Sequence, residues 1–193
     1  AQDMFDELYD TDVSETPGGM NTYDEKYDAF MTLKYKGFTC EGRYDDRRMG
    51  APLNGDTLDY QSYQEIIDYY LNLNYEGTLW KGINLIAKIY RNHYEQSSQF
   101  VELPEGAYRP WFGYASEDLF HIYEFKNDRT GVEVQTNYET GDTNTIVAGA
   151  TFEEQEQYDV ALYGNFTFYG DIFPSIIDLS DIHNHNKDFK RNI

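Results

Sequence analysis

The sequence is poor in the features that mark a nucleic-acid binder, a disulfide scaffold or a helical membrane protein. Lys and Arg number 15 against 35 Asp and Glu, a formal net charge of −20. A phosphate backbone is repelled by such a chain, and nucleic acid is excluded as a partner. A single cysteine, Cys40, rules out an internal disulfide and any cysteine-based metal site. No apolar run approaches the roughly 18 residues of a membrane-spanning helix, and mean hydropathy is −0.74. That absence leaves membrane β-barrels open, because in their strands only every second residue need be apolar. Catalytic signatures are missing as well: there is no Gly-x-Ser-x-Gly elbow, no His-Glu-x-x-His and no phosphate-cradling glycine loop, and Ser116 has no evident base partner. The chain reads as a non-enzyme.

What is abundant is aromatic. Nineteen Tyr and 12 Phe bring the aromatic share to 17%, which argues for a folded chain despite its charge. The 193 residues suit one domain, or one piece of a larger one. Ala1-Gln2-Asp3 fits a mature terminus after signal cleavage or a segment cut from a longer chain. Residues 1–22 read as an acidic loop or terminal segment, and 23–193 as an antiparallel β-hairpin region.

Period-2 alternation carries that reading. Ala29, Met31, Leu33 and Tyr35 alternate with Phe30, Thr32 and Lys34, and after Lys36-Gly37 the pattern resumes with Phe38, Cys40, Gly42 and Tyr44. A second pair sets Ile67, Tyr69, Leu71, Leu73 and Tyr75 before a Glu76-Gly77 turn and Ile83, Leu85, Ala87 and Ile89 after it. A third places Val132, Val134, Thr136 and Tyr138 ahead of Thr140-Gly141-Asp142, then Ile146, Ala148, Ala150 and Phe152. The expected strands cover 28–35, 38–45, 67–75, 83–92, 130–138 and 143–153, paired antiparallel as neighbours. The expected fold is therefore all-β, with up-and-down hairpins of a β-barrel type.

Connections alternate between short turns and long stretches, from about Asp46 to Glu65, Glu95 to Asp128 and Glu153 to Lys190. Compact domains seldom carry several such loops, whereas outer-membrane barrels have this layout. Aromatics add two levels: Tyr35, Phe38, Tyr75, Trp80 and Tyr138 beside the turns, and Tyr44, Tyr69, Tyr94 and Phe152 at the far ends. Such levels match the aromatic girdles around the apolar band of a barrel. A soluble sandwich whose aromatics are cross-strand core pairs has the same pattern.

The stretch Arg129-Thr-Gly-Val-Glu-Val-Gln-Thr-Asn-Tyr-Glu139, followed by Asp142-Thr-Asn-Thr-Ile-Val-Ala-Gly-Ala-Thr-Phe-Glu-Glu-Gln155, resembles the mid-barrel hairpins of TonB-dependent outer-membrane receptors. Tyr69–Tyr75 with Ile83–Tyr90 is similar to another such hairpin, and Asn186–Ile193 to the run into a further strand. The resemblance implies part of a receptor in the bacterial outer membrane or cell surface that takes up a scarce nutrient, such as a metal chelate or corrinoid. Complete members have an N-terminal plug, a coupling box and about 22 strands. Six strands without a recognisable plug or closing C-terminal strand imply a part that does not transport alone. Its expected partners are the remaining barrel strands or copies of itself. The other function class is a secreted or surface β-rich protein that self-associates or binds carbohydrate.

Candidate sites are few. Tyr108, Arg109, Trp111, Phe112 and Tyr114 lie in one long stretch and offer aromatic faces and a guanidinium for a flat or sugar-like small molecule. In the resembled family such loops capture the ligand outside the cell. His183 and His185, near Asp181 and Asp188, lack a third ligand at a diagnostic spacing, and His93 and His121 stand alone. Acidic groups at Asp3, Asp6, Glu7, Asp10 and Asp12, at Asp45 and Asp46, and at Glu117 and Asp118 make calcium a candidate cation, although no Asp-x-Asp-x-Asp-Gly loop is complete. No other metal or cofactor is expected. Adjacent Asp45 and Asp46 point to opposite faces of a strand and cannot flank one glycosidic bond. Asn165-Phe166-Thr167 fits a glycosylation acceptor.

Overall fold

The computed structural model describes residues 7–11, 23–50, 61–109, 113–140, 144–167, 169–183 and 189–192. The chain is all-β. Strands β1 (Asp24–Tyr35), β2 (Phe38–Gly50), β3 (Tyr63–Trp80), β4 (Ile83–Leu103), β7 (Leu119–Thr140) and β8 (Asn144–Phe166) form one antiparallel up-and-down sheet in that order. Between β4 and β7 a small hairpin, β5 (Tyr108–Arg109) and β6 (Gly113–Tyr114), forms its own two-stranded sheet. Beyond β8 lie β9 (Ile172–Asp178), a helical turn α1 (Ser180–His183) and β10 (Phe189–Asn192). Both β9 and β10 pair with β8 on the side away from β7, so they are two pieces of one stave.

All six expected strands are present in the expected pairing, but they run further than the alternation does. Segments read as long connections are largely ladder: β4 continues to Leu103, β7 starts at Leu119 and β8 reaches Phe166. The sequence there is polar or mixed on both faces, so the hydrophobic period vanishes while backbone pairing continues. Residues 51–62 separate β2 from β3, 104–118 with β5 and β6 separate β4 from β7, and 167–171 separate β8 from β9. The Glu76-Gly77 turn is a second correction. Gly77 sits in the ladder opposite Leu85, and the chain reverses at Lys81-Gly82 instead, where Gly82 has φ 79°.

The first turn shows why Lys-Gly reverses the chain here. Lys36 and Gly37 have φ 46° and 86°, the paired left-handed conformations of a twist-compatible two-residue hairpin turn. The first two turns are also tied to the strand beyond them: Glu76 N–H donates to the Gly37 carbonyl at 2.8 Å, and Glu139 N–H to that of Gly82 at 2.9 Å.

Following the register across the sheet sorts the side chains. One face carries the row Leu33, Cys40, Leu73, Ile89, Val132 and Phe152. The next row toward the turns holds Tyr35, Phe38, Tyr75, Ala87, Val134 and Ala150. Leu71, Ile83 and Leu85 share this face, whereas Asn72, Asn74, Asn84, Lys88, Glu133 and Gln135 occupy the other. A hollow of about 610 Å³, bordered by Lys34, Thr39, Asn74, Glu76, Asn84 and Asn137, opens on the polar face near the turns. The sheet therefore curves with its polar face concave and its apolar face convex. Tyr94 departs from the expected upper aromatic level: it pairs with Asp68 and Asn127 on the concave side.

Apolar residues on the convex face are mostly exposed; Trp80 retains 75% of its accessible surface and Phe152 60%. Among the described residues the hydrophobic core cluster lies at the loop end, formed by Leu103, Ala107, Ala115, Leu119 and Phe166. Mid-sheet, packing on the concave face is local. Tyr90 lies over Gly131 so closely that a β-carbon on Gly131 would overlap its ring. Gly131→Val is expected to cost about 1–3 kcal/mol through overpacking. In a Tyr90→Ala background most of that cost should disappear, which a double-mutant cycle of denaturant unfolding will measure.

Candidate functional site

The loop end holds the residues that sequence reasoning singled out. Ala107 N–H donates to the Pro104 carbonyl at 3.0 Å, and Ala107 and Ala115 join across the base of the hairpin, Ala115 N–H donating at 2.8 Å. Both alanines are buried on the core, which leaves the β5–β6 hairpin standing above it. There Tyr108 pairs with Tyr114 and Arg109 with Gly113, and the two tyrosine rings meet with centroids 5.1 Å apart. Gly113 has φ 77°, a conformation that side chains disfavour. Tyr114 is 64% exposed. Trp111 and Phe112 lie outside the described residues.

Tyr9 was not among the expected site residues, yet its ring lies 5.5 Å from that of Tyr108. No sequence signal marks it, because it sits in the acidic segment far from the hairpin. The structure thus brings together Tyr9, Tyr108 and Tyr114 as a tyrosine cluster on a rigid base, suited to stacking against a flat or sugar-like molecule.

Two polar residues fix that base. Asp118 accepts from Gln61 Nε2 at 2.7 Å and from the Glu105 N–H at 2.8 Å. Asn165 accepts from the Phe120 N–H at 3.0 Å and donates from Nδ2 to the Asp118 carbonyl at 2.8 Å. Only 4% of Asn165 is exposed. Its amide is engaged in the fold, so the glycosylation-acceptor reading of Asn165-Phe166-Thr167 is a structural motif instead. Glu117 and Ser116 are exposed.

The other candidates resolve separately. Asp45 and Asp46 do point to opposite faces: Asp45 meets Lys26 Nζ at 2.8 Å and Arg43 Nη2 at 2.7 Å, while Asp46 accepts from the Tyr44 hydroxyl at 3.4 Å. Glu7 and Asp10 are exposed, and Asp3, Asp6 and Asp12 lie outside the described residues. Among the described residues no three His, Cys, Asp or Glu side chains converge in a metal-holding group. His183 ends α1, and His185 and Asp188 lie outside the described residues.

The two isolated histidines are embedded in the sheet. His93 Nδ1 is 2.6 Å from Asp128 Oδ1, and its ring stacks on Tyr69 with centroids 4.7 Å apart. Arg91 Nη2 also donates to Asp128, at 3.0 Å. His121 is fully buried, its ring against Phe166 and its Nε2 3.2 Å from the Phe166 carbonyl oxygen. Both are cross-strand pairings, visible only once the register is known. On the concave face Glu153 accepts from the Tyr90 hydroxyl at 2.6 Å and from Gln155 at 2.7 Å, and also meets Arg129.

No protein-family model matches this chain, and comparison with curated proteins and with solved structures finds no match.

Two predictions follow the polar contacts. Asn165→Ala strands two backbone groups beneath the hairpin and should cost about 1–3 kcal/mol, read by denaturant unfolding. Asp45 and Asp24 are held below the usual carboxylate range, Asp45 by the hydrogen bond from Lys26 and then that from Arg43, Asp24 by the hydrogen bond from Arg47. A depressed carboxylate stabilises fully above its unfolded value, and the stabilisation is lost as pH falls through the folded one. Asp45→Asn should therefore weaken β1–β2 at neutral pH and converge with the parent below both values, as read by amide exchange of β1 across an acid titration.

Proposed function

We propose that the chain is a wall segment of a TonB-dependent outer-membrane receptor, set in the bacterial outer membrane with its turns facing the periplasm and its loop end outside. The observation that carries this reading is the exposed apolar band on the convex face. Trp80, Ile83, Tyr138 and Ile146 form its lower row, and Tyr44 and Tyr69 stand above it. With a rise of roughly 3.3 Å per residue and a strand tilt near 40°, the rows from Tyr69 to Trp80 span about 25–30 Å, the height of an outer-membrane apolar band. A soluble protein does not leave so large an apolar surface open to water.

Membrane strands need only about 9–11 residues, whereas β4, β7 and β8 have 21, 22 and 23. Their loop-end halves stand clear of the bilayer and carry the Tyr9, Tyr108 and Tyr114 cluster, which in this reading contacts a scarce nutrient such as a metal chelate or corrinoid. The specific family rests on the resemblance of the 129–155 hairpin. In this role the segment has no catalysis to perform, and as an isolated chain it transports nothing, since bacterial barrels need about eight strands or more to close.

A second reading is a secreted or surface β-rich protein that self-associates or binds carbohydrate. It is favoured by β1, which is exposed along its length and has no outer strand partner among the described residues.

The test compares two adjacent residues on opposite faces. In lipid vesicles Leu73→Arg should lose about 2–4 kcal/mol of folded stability, while Asn74→Arg on the concave face should change it by less than about 1 kcal/mol. Soluble folding without lipid or detergent, with Leu73 shielded from water-phase labelling, would favour the second reading and sink the first.

A further inference from the structure

The hollow on the concave face near the turns is bordered by hydrogen-bond donors that the fold leaves unspent. Asn84 Oδ1 accepts from the Thr78 hydroxyl at 2.8 Å, and Asn137 Oδ1 from Gln135 Nε2 at 2.9 Å. Each amide keeps its Nδ2 hydrogens to give, with no acceptor for them among the described residues. Lys34 makes no ion pair among the described residues, and the one contact of the Lys36 ammonium is with the Tyr35 ring, 5.2 Å from its centroid. Higher on the same face Lys26, Arg47 and Arg129 are each paired with a carboxylate. Glu76 is the one carboxylate on the border, and it pairs with neither lysine.

This surplus selects the ligand. A neutral sugar brings donors as well as acceptors, and the carboxamide oxygens of Asn84 and Asn137 that would receive from it are taken. An anion rich in acceptor oxygens fits instead. The formal charge of −20 does not forbid one, because beyond about 8 Å it is screened at physiological ionic strength. Size narrows the class further. From Lys34 on β1 to Asn137 on β7 the hollow crosses five strands, about 19 Å at a strand spacing of about 4.8 Å, and its volume is about 610 Å³. An inorganic ion does not reach both sides.

We propose that this hollow is a binding site for a phosphate ester of a polyol, its phosphate held by Lys34 and Lys36 and its hydroxyl oxygens accepting from Asn84 and Asn137. Phosphate is preferred to carboxylate because its oxygens diverge tetrahedrally, so the two ammonium groups and the Thr39 hydroxyl each approach a different one. A free glycerol or sugar phosphate carries this chemistry, and so does the headgroup of a phospholipid. The site goes beyond the barrel-wall reading and does not require it. Tyr35 and Phe38 also border the hollow, and they belong to an aromatic row of the convex face, so the headgroup of a lipid lying against that face is within reach.

The experiment titrates glycerol phosphate into the full chain, isotope-labelled in neutral detergent micelles, and follows the side-chain amides of Asn84 and Asn137. Saturable shifts of both are expected. Lys34→Gln combined with Lys36→Gln should weaken binding at least about tenfold, whereas Lys81→Gln, the same charge change at a turn lysine off the hollow, should alter it less than about twofold. Glu76→Gln should tighten it. Displacement of the free ester by phosphatidylglycerol added to the micelles identifies a lipid headgroup as the source; unimpaired binding beside that lipid identifies a soluble one, and either result supports the site. Protected β2 and β3 amides report that each variant is folded. Three results overturn the proposal: no saturable shift in a folded chain, equal shifts from sodium chloride at matched ionic strength, or a Lys81→Gln chain weakened as much as the chain lacking both border lysines. Failure of the barrel reading is registered separately, by the vesicle behaviour of Leu73→Arg.

Discussion

Lateral backbone pairing is the interaction on which this protein depends. A peptide N–H or C=O without a partner in an apolar medium costs several kcal/mol, and the long ladders from β1 to β8 satisfy those groups over most of each strand's length. Side chains then decide only which medium each face meets. Among the described residues neither face of the mid-sheet is covered by a second layer, so the usual division into core and surface gives way to one between an apolar convex side and a polar concave side. Among the described residues a conventional core appears only at the loop end, where the β5–β6 hairpin folds onto Leu103, Leu119 and Phe166.

This arrangement separates two jobs along one set of strands. Near the turns, the convex face carries apolar and aromatic side chains from strand to strand, as in the row Tyr35, Phe38, Tyr75, Ala87, Val134 and Ala150. Toward the loops, specific polar contacts take over: Asp118 and Asn165 anchor the hairpin, Asp128 gathers His93 and Arg91, and Asp45 gathers Lys26 and Arg43. The high acidic content is partly absorbed by these pairs.

Strand existence, neighbour pairing and the two-face partition were legible in the sequence, because Leu71, Leu73, Val132 and Val134 alternate cleanly with polar residues. The strand ends were not, since 95–103, 119–128 and 154–166 are polar or mixed on both faces and period 2 has nothing to mark. Glu76-Gly77 misled because glycine is a turn signal only where the backbone turns left-handed; in β3 it serves a close approach of the Tyr75 ring. The site was half legible. Tyr108 and Tyr114 stand out as aromatics in a turn-rich stretch, whereas Tyr9 joins them through a contact across nearly one hundred residues that no local pattern encodes.

The tie between the first two reversals and the strand after each has a kinetic consequence. Because the Gly37 carbonyl is held by Glu76 and the Gly82 carbonyl by Glu139, a finished hairpin presents not only an open flank but a fixed starting point for the next stave. Growth of the sheet then becomes a templated addition, in which each new strand is aligned at its turn end before its length is paired. Such a chain commits its register early, and a slip by one residue, which would exchange the apolar and polar faces, is resisted at the first bond formed.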